Sequence, residues 1–498
     1  MRRFMQVWAG LLLVLGSFAS AQGQEAAVDP GPTPRAECGP GSRPETKAQG
    51  RITVEDAAAG GFQCNLEELS HFGNSGGYKV HRYIDAQGHE CAFYDSTLLF
   101  PTGVPAAGPE GPGVYVLDMT DPARPVKTAN LVTPAMLSPH ESLYLNQKRG
   151  LLVADMGYPT FNPGFVDVYD VSQDCQHPTL LSSSPLGILG HESGFSPDGM
   201  TFWASSTGGP TVVALDLTDP TTPVPLWVGT DWRAHGMRVS EDGNRLYIAD
   251  VSDGLHILDV SEVQARVPNP TVTEISFLDW PELSIPQVAI PFSVGGHPYL
   301  VEIDEFGNSG PVGAARIIDI ADETKPKVVS NIRLEVHMPE ARETDQTEDP
   351  GSSSALAGYT GHYCSIPQHD DPGIVACGMI LSGLRVFDIR DPLHPKEIAY
   401  WNHPIEPTIP GDEPSSYAMD APAFVPERGE IWHADGNGGF SVLRFTNGVW
   451  PFEAATAPTP APEEAPQDIL PATGAPTWWA LVGAGLLLVV VGIRRLAR

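Results

Sequence analysis

The feature that most constrains the fold of this chain is a short phrase that recurs along it. Clear copies are GVYVLDMTDPARP at Gly113–Pro125, VDVYDVSQDCQHP at Val166–Pro178 and TVVALDLTDPTTP at Thr211–Pro223. Looser copies begin at Gly254, Ala314 and Gly383, and a degraded seventh copy spans Gly439–Pro451. Repetition of one small unit at intervals of about 43–69 residues is typical of propellers and other repeat architectures.

Each repeat predicts four short strands. A first strand ends in a polar turn such as SPDG at Ser196–Gly199, and a second follows, as in RLYIAD at Arg245–Asp250. The third strand is the V-x-D phrase, and a fourth follows the Asp-Pro turn, as in Pro125–Val132. Four strands per unit with frequent turn signals form one propeller blade. The sequence therefore predicts an all-β, seven-bladed β-propeller with four-stranded antiparallel blades.

The last blade lacks its own fourth strand, because a Pro/Ala-rich acidic stretch begins directly after Trp450. The segment Phe62–His71 precedes blade one and predicts the missing strand, which would close the ring and remove an exposed sheet edge. An open β-solenoid is the alternative, but it has no use for this spare strand.

The two ends of the chain predict export and anchoring. Arg2, Arg3, the apolar run Val7–Leu15 and the small residues Ala19–Ala21 are typical of a secretory signal peptide. The predicted organisation is a signal peptide at 1–21, an N-terminal extension at 22–61, the propeller at 62–451, an acidic linker at 452–469 and a sorting segment at 470–498.

The sorting segment has three parts: Leu470-Pro471-Ala472-Thr473-Gly474, the apolar stretch Ala475–Ile493, and a terminal arginine cluster. The apolar stretch would be about 28 Å long as a helix, which predicts a transmembrane helix in the precursor. The tail resembles the LPxTG sorting signal of Gram-positive surface proteins. The resemblance implies cleavage between Thr473 and Gly474, with sortase and peptidoglycan as partners at the cell surface. A simple membrane anchor is the alternative.

The six cysteines of an exported chain predict disulfides rather than metal thiolates. Cys364 and Cys377 lie on neighbouring antiparallel strands of blade six and predict a cross-strand bond. Cys64–Cys91 would tie the closing strand to blade one and leave Cys38–Cys175, although six cysteines allow fifteen connectivities.

The blade consensus resembles the LVIVD repeat of bacterial and archaeal surface propellers. The matching residues are V-x-x-x-D followed by D-P-x-x-P, and AHGMRV at Ala234–Val239 matches the opening of that family's first strand. The resemblance extends over residues 62–451 and implies a fold, because the repeat family has no single chemistry.

One position of the repeat is rich in histidine. We aligned the blades on Ala154, Ala204, Ala249, Ala376 and their equivalents Tyr94 and Ala434. The residues thirteen or fourteen positions upstream are His81, His140, His191, His235 and His362, with Asp420 in blade seven and Gln287 or its neighbour in blade five. Only 15 of 498 residues are histidine, so this periodicity is not chance.

Side chains at the start of the first strands would converge at one mouth of the central channel. Converging imidazoles predict a site for a transition metal such as Cu, Zn or Fe. Asp420, Gln287, Glu141 and Glu192 are candidate outer-shell partners, and the two glutamates are also candidate general bases. The alternative is a structural polar ring that binds only water and backbone. His256 and His433, within strands, are predicted to be packing residues.

The sequence predicts a secreted, surface-anchored propeller that binds a transition metal and acts as a metal-dependent oxidase or hydrolase. The alternative is a wall-displayed recognition or adhesion module that binds a polymer, protein or small ligand without catalysis. The net charge of −32 excludes nucleic acid as a partner, because its phosphates would be repelled. No serine–histidine–acid triad or phosphate-binding glycine loop favours another chemistry.

Overall fold

The computed structural model describes residue 28 and residues 31–452 apart from short gaps. The gaps are 54, 57–58, 96, 99–105, 108–110, 158–163, 188–190, 207–208, 281–283, 306–313, 343–347, 350–351, 353–357 and 403–415. The predicted signal peptide and sorting segment therefore lie outside the described residues. Among the described residues, no helix is long and apolar enough to span a membrane.

The strands form seven consecutive antiparallel sheets, one for each predicted blade, which confirms the seven-bladed propeller. Blade one comprises Val80–Ile84, Glu90–Asp95, Val114–Asp118 and Val126–Leu131. Blade two comprises Leu143–Asn146, Leu151–Asp155, Gly164–Asp170 and Thr179–Gly187. Blade three comprises Ser193–Phe195, Thr201–Ser206, Thr211–Asp216 and Val224–Gly229. Blade four comprises Ala234–Val239, Arg245–Asp250, Gly254–Asp259 and Thr273–Leu278.

The remaining blades follow in chain order. Blade five comprises Ile285–Val294, His297–Glu305, Ala315–Asp319 and Lys327–Ile332. Blade six comprises Cys364–Ser365, Ile374–Gly378, Leu384–Asp388 and Lys396–Asn402, and blade seven begins with Ala423–Val425, Glu430–Asp435 and Gly439–Phe445. The short helices are Ser261–Gln264, Glu335–His337, Pro339–Arg342 and Pro426–Arg428, and the two-residue strands Thr97–Leu98 and Ala106–Ala107 pair.

The Asp-Pro phrase makes the turn that leaves the third strand. In blade one, Asp118 Oδ1 accepts hydrogen bonds from the Thr120 N–H at 2.9 Å and the Thr120 hydroxyl at 2.6 Å. Asp216 binds Thr218 in the same way in blade three. Short aspartate side chains stabilise turns by satisfying backbone donors two residues ahead. This local requirement explains why the aspartate recurs in six of the copies while the side chains beyond it vary.

The third strands bury both faces because each blade is packed between two others. All side chains of Tyr115–Leu117 are fully buried, as are those of Ala214 and Leu215 in blade three. Trp203 of blade three packs with Met237 and Ile248 of blade four in one apolar cluster. A strand that is buried on both faces has a nearly continuous apolar sequence, and the V-x-D strands have such sequences.

The N-terminal segment closes the ring, as predicted, and also extends blade six. Leu66–Phe72 pairs antiparallel with Gly439–Phe445 and supplies the fourth strand of blade seven. Phe62–Cys64 instead pairs with Lys396–Asn402 as a fifth strand of blade six. The two pieces part at Asn65, which has a positive φ of 55°. Blade seven meets blade one where the Val80 N–H donates to the Ala421 carbonyl at 3.0 Å.

The structure confirms one predicted disulfide and corrects the other two. Cys364–Cys377 forms between paired residues of blade six. The others are Cys38–Cys64 and Cys91–Cys175, so the predicted Cys64–Cys91 and Cys38–Cys175 bonds are wrong. The reason is the division at Asn65, because it places Cys64 in blade six beside the N-terminal extension, while Cys91 lies in the second strand of blade one.

Candidate functional site

Four of the five predicted histidines converge around one glutamate. His140, His191 and His362 each lie two or three residues before the first strand of blades two, three and six. His235 lies at a β-bulge in the first strand of blade four. Together with Glu141 they form what we call the histidine cluster. Because first strands line the channel of a propeller, these positions place the cluster at one channel mouth.

The carboxylate of Glu141 lies at the centre of the cluster. Its Oε2 is 3.3 Å from the Nε2 atoms of both His191 and His235. Its Oε1 is 3.1 Å from His362 Nε2 and 3.5 Å from His140 Nε2. The rings of His140 and His191 are 4.4 Å apart, and those of His191 and His235 are 4.6 Å apart. Four imidazoles from four blades therefore share a single carboxylate.

These nitrogen–oxygen separations match the spacing of ligands around one metal ion. Two ligands bound at 2.0–2.1 Å with a tetrahedral angle lie about 3.3 Å from each other. Among the described residues, ligand atoms of His140, Glu141 and His191 lie within 4.8 Å of one another, as do those of Glu141, His235 and Glu305. The two sets share Glu141, which therefore links them.

The free Nε2 of His362 fits a metal ligand at this site. His362 Nδ1 lies 2.8 Å from the Met419 carbonyl, which fixes the proton on Nδ1 and leaves the lone pair of Nε2 facing Glu141. A backbone carbonyl on the second ring nitrogen is the usual arrangement behind a metal-bound histidine. His362 Nε2 and the Nδ1 atoms of His140, His191 and His235 are buried without a hydrogen-bond partner among the described residues. Such atoms cost free energy unless water or an ion satisfies them.

Two tyrosines and a second carboxylate surround the cluster. The Tyr363 hydroxyl donates to Glu141 Oε2 at 2.9 Å. The Tyr78 ring lies edge-on to His140 at 4.4 Å. Glu305 Oε1 is 3.9 Å from His362 Nε2, and its Oε2 accepts a hydrogen bond from the Gln287 side chain. Gln287 therefore contacts the cluster through Glu305.

The electrostatics of the cluster favour ionised Glu141 and divide the four imidazoles into two pairs. Burial lowers the pKa of His140 well below its ordinary value and that of His235 to about 3. Burial would raise the pKa of Glu141, but the imidazoles of His235, His140 and His191 hold it well below its usual range. Burial opposes protonation of His191, yet Glu141 raises its pKa. Burial opposes protonation of His362, but Glu305 and Glu141 raise its pKa. Burial raises the pKa of Glu305 to about 7.

The solvent exposure of His191 and the backbone conformation of His140 both distinguish the cluster from an ordinary core. The side chain of His191 is 18% exposed, whereas those of His140, His235 and His362 are at most 5% exposed. The site therefore opens on the side of His191. His140 has a φ of 51°, in the left-handed region that non-glycine residues avoid. Such strain persists where the surroundings hold the residue in place, and it is common at functional sites.

His81 does not join the cluster, so its predicted position is wrong. Its Nε2 lies 2.8 Å from the Leu143 carbonyl, and it pairs with Phe93 within the first strand of blade one. Tyr94 pairs with Val80, whereas Ala154 pairs with Leu143, so the first hairpin of blade one is three residues longer than that of blade two. A fixed count back from the second strand therefore stops inside the strand. Tyr78, two residues before Val80, takes the position that faces the cluster.

Two further predicted partners bind elsewhere. Asp420 lies against His433, with 2.7 Å between its Oδ1 and His433 Nδ1. His433 is thus half of an ion pair rather than only a packing residue. Glu192 turns away from the histidines and binds Lys79, the Tyr144 hydroxyl and Arg238, which is 3.2 Å away. Burial lowers the pKa of Lys79 to about 8.

Sequence reasoning missed Tyr78, Tyr363 and Glu305. Tyr363 follows His362 as Glu141 follows His140 and Glu192 follows His191, so three of the four clustered histidines are followed by a polar side chain. Glu305 ends the second strand of blade five, one of the blades without a histidine at the repeated position. Its approach to His362 depends on how two blades meet, which no single repeat encodes.

Two solved structures illustrate the likenesses found. A functionally unknown protein from Desulfotomaculum acetoxidans has 12% identity and a TM-score of 0.45, and the alignment covers 74% of this chain and 89% of that one. Hydrazine synthase of Kuenenia stuttgartiensis has 12% identity and a TM-score of 0.46, over 75% and 97%. No curated protein matches the sequence. The model of the LVIVD repeat matches residues 234–264, so the chain is a seven-bladed β-propeller that carries an LVIVD repeat in blade four.

Proposed function

We propose that this protein binds one transition-metal ion at the channel mouth and acts outside the cell as a metal-dependent oxidase or hydrolase. The ligands are the imidazoles of His140, His191, His235 and His362 with the carboxylate of Glu141. The observation that carries the proposal is the set of four Nε2 atoms at 3.1–3.5 Å from this one carboxylate. Imidazole with one carboxylate suits copper, iron and zinc.

The surrounding residues would hold the ligands in place. The Met419 carbonyl fixes the tautomer of His362, and the Tyr363 hydroxyl orients Glu141 through a 2.9 Å hydrogen bond. Glu305, held by Gln287, is the nearest carboxylate outside the ligand set and can accept a proton from a substrate or water beside His362. A bound copper or iron would supply redox chemistry, and zinc would polarise a carbonyl or lower the pKa of water.

The direct test is the metal content of the exported protein. The protein purified from its host without chelators should hold one equivalent of copper, iron or zinc at the histidine cluster, measured by plasma mass spectrometry as the metal that His235→Ala removes. Loading should weaken as the pH falls below about 6, because protons compete with the metal for His191 and His362, whose pKa values are raised. A protein that stays metal-free after loading with all three ions would contradict the proposal. The recognition module would then be the better account.

We further propose that the protein is exported and joined to the cell wall through Thr473. The proposal rests on the order LPATG, apolar stretch and arginine cluster at 470–498, and three disulfides are consistent with an oxidising exterior. Replacing Leu470–Gly474 by alanines should release the protein from the purified wall fraction of its host. Unchanged covalent attachment in that variant would contradict the sortase mechanism, whereas retention in the membrane fraction alone is expected of the variant.

A further inference from the structure

A second group of possible ligands lies at the tip of blade four, outside the histidine cluster. It consists of Asp250, at the end of the second strand, Asp253, in the following turn, and His256, on the third strand. One ligand atom from each residue lies within 4.8 Å of the other two. Asp253 is exposed and His256 is buried, so this group is accessible from solvent on one side.

His256 is oriented as a ligand by a carboxylate behind it. Its Nδ1 lies 3.0 Å from Glu274 Oε2, and this oxygen also accepts a hydrogen bond from the Trp232 indole at 3.2 Å. A carboxylate on Nδ1 keeps the proton there, which leaves a lone pair on Nε2. His256 is only 8% exposed, and its Nε2 is buried without a hydrogen-bond partner among the described residues. With Nδ1 bound to Glu274, Nε2 is the ring nitrogen that His256 can offer to a cation beside the two aspartates.

The carboxylate of Asp250 is held in place by the backbone. Its Oδ2 accepts from the Arg233 N–H at 2.7 Å, and its Oδ1 accepts from the Ser252 N–H at 2.9 Å. Each carboxylate oxygen has a second lone pair, so these bonds orient the group and leave it able to bind a cation.

In blade five, the aspartate equivalent to Asp250 is paired with an arginine instead of a histidine. There the equivalents of Asp250 and His256 are Asp304 and Arg316, because His256 pairs with Ile248 and Arg316 pairs with Glu302 in the same register. The Arg316 guanidinium binds both oxygens of Asp304 at 3.0 Å. Blade five thus supplies a permanent cation to this aspartate. Blade four places an imidazole lone pair at that position and adds a second carboxylate, which is a ligand set for an external cation.

We propose that Asp250, Asp253 and His256 form a second metal site that binds a divalent ion of the zinc type, with Glu274 as a positioning residue. One imidazole and two carboxylates are common zinc ligands, and water would complete the coordination. This site shares no residue with the histidine cluster, so the proposal does not depend on the function proposed above.

Zinc titration of the full-length protein tests this site, with calorimetry as the measurement. In a His191→Ala/His235→Ala background, which disables the histidine cluster, one equivalent of zinc should still bind. Adding Asp253→Asn should weaken that binding at least 10-fold, and Glu274→Gln should weaken it about 10- to 100-fold. Asp253 is an exposed turn residue, so its replacement leaves the fold intact. His297→Ala is the matched control, because this blade-five histidine also contacts an aspartate, Asp319, and should leave zinc binding unchanged.

A background protein that binds no zinc, or binds it equally well with Asp253→Asn, would overturn the proposal. If the double variant does not fold, the His256→Gln single variant can be compared with the unsubstituted protein. It should bind one equivalent of zinc fewer. Failure of the histidine cluster to bind metal would appear differently. The unsubstituted protein would then bind a single equivalent that Asp253→Asn weakens and His235→Ala does not.

Discussion

Replacing His235 by alanine should lower the affinity for the channel-mouth metal more than 100-fold and remove this one equivalent of metal from the purified protein. The substitution removes one of four imidazoles, and even the loss of an outer-shell partner commonly costs 10- to 100-fold in metal affinity. Glu141→Gln should have a comparable effect, because it removes the negative charge that faces all four Nε2 atoms. Metal content by mass spectrometry and competition with a chelator measure both effects.

His81→Gln is the matched control for these substitutions. His81 belongs to the same periodic set in the sequence, but its Nε2 binds the Leu143 carbonyl, and glutamine can make that hydrogen bond as well. The metal content of His81→Gln should therefore equal that of the unsubstituted protein. Equal losses in the His81 and His235 variants would mean that the geometry of the cluster does not decide metal binding.

Tyr363→Phe separates orientation from ligation. It removes only the 2.9 Å hydrogen bond to Glu141 and keeps the ring. With copper bound, the nitrogen hyperfine pattern in the paramagnetic resonance spectrum should stay the same in Tyr363→Phe. It should lose one nitrogen in His235→Ala, which a purely structural effect on stability would not produce.

The sequence predicts the architecture because each blade repeats the same local physics. The Asp118–Thr120 turn, the buried strand Val114–Asp118 and their counterparts recur, so blade number and strand order follow from counting. The path of the N-terminus is predicted only in part. Nothing in FQCNLEELSH reveals that Asn65 divides the segment between two blades, and the error in disulfide pairing follows directly from that division.

The candidate site is predicted to the extent that it obeys the repeat. His140, His191 and His362 are found because their hairpins have the same length, and His235 is found because the bulge in its strand compensates a longer hairpin. The prediction for His81 is wrong because the longer first hairpin of blade one is not offset by a bulge in its first strand. Contacts between different blades, such as that of Glu305 with His362, depend on tertiary packing and leave no periodic trace.

Replacing Arg385 by methionine should lower the free energy of unfolding by about 3–5 kcal/mol. Arg385 is fully buried in the third strand of blade six and binds two carboxylates, Glu45 of the N-terminal extension and Glu397 of the fourth strand at 2.9 Å. Glu397 also accepts hydrogen bonds from the Gln49 amide at 3.0 Å and the Ala36 N–H at 3.2 Å. Loss of the guanidinium leaves two buried carboxylates without their cation, at the contact that holds the extension on blade six.

The loss should depend on pH in a defined direction. Burial already raises the pKa of Glu45 even with Arg385 present, and removal of the cation raises it further. A carboxyl group whose pKa is higher in the folded than in the unfolded state is protonated in both states below its unfolded pKa, so it costs no stability there. It destabilises the folded state as the pH rises towards the folded pKa. The deficit of Arg385→Met should therefore be small near pH 4 and largest at pH 8, measured by denaturant unfolding with the disulfides intact.

Two further variants decide whether the buried charges cause this loss. Arg390→Met removes an exposed arginine that pairs with Asp388 in the same blade, and it should cost less than about 1 kcal/mol. Adding Glu45→Gln and Glu397→Gln to Arg385→Met should restore most of the stability and abolish its pH dependence, because neutral amides need no cation. If the triple variant is no more stable than Arg385→Met at pH 8, the arginine acts through packing against the Tyr400 ring, 4.5 Å away, rather than through charge. The buried charges would then contribute little to the attachment of the N-terminal extension. The Cys38–Cys64 disulfide would be the main link that holds the extension on the propeller.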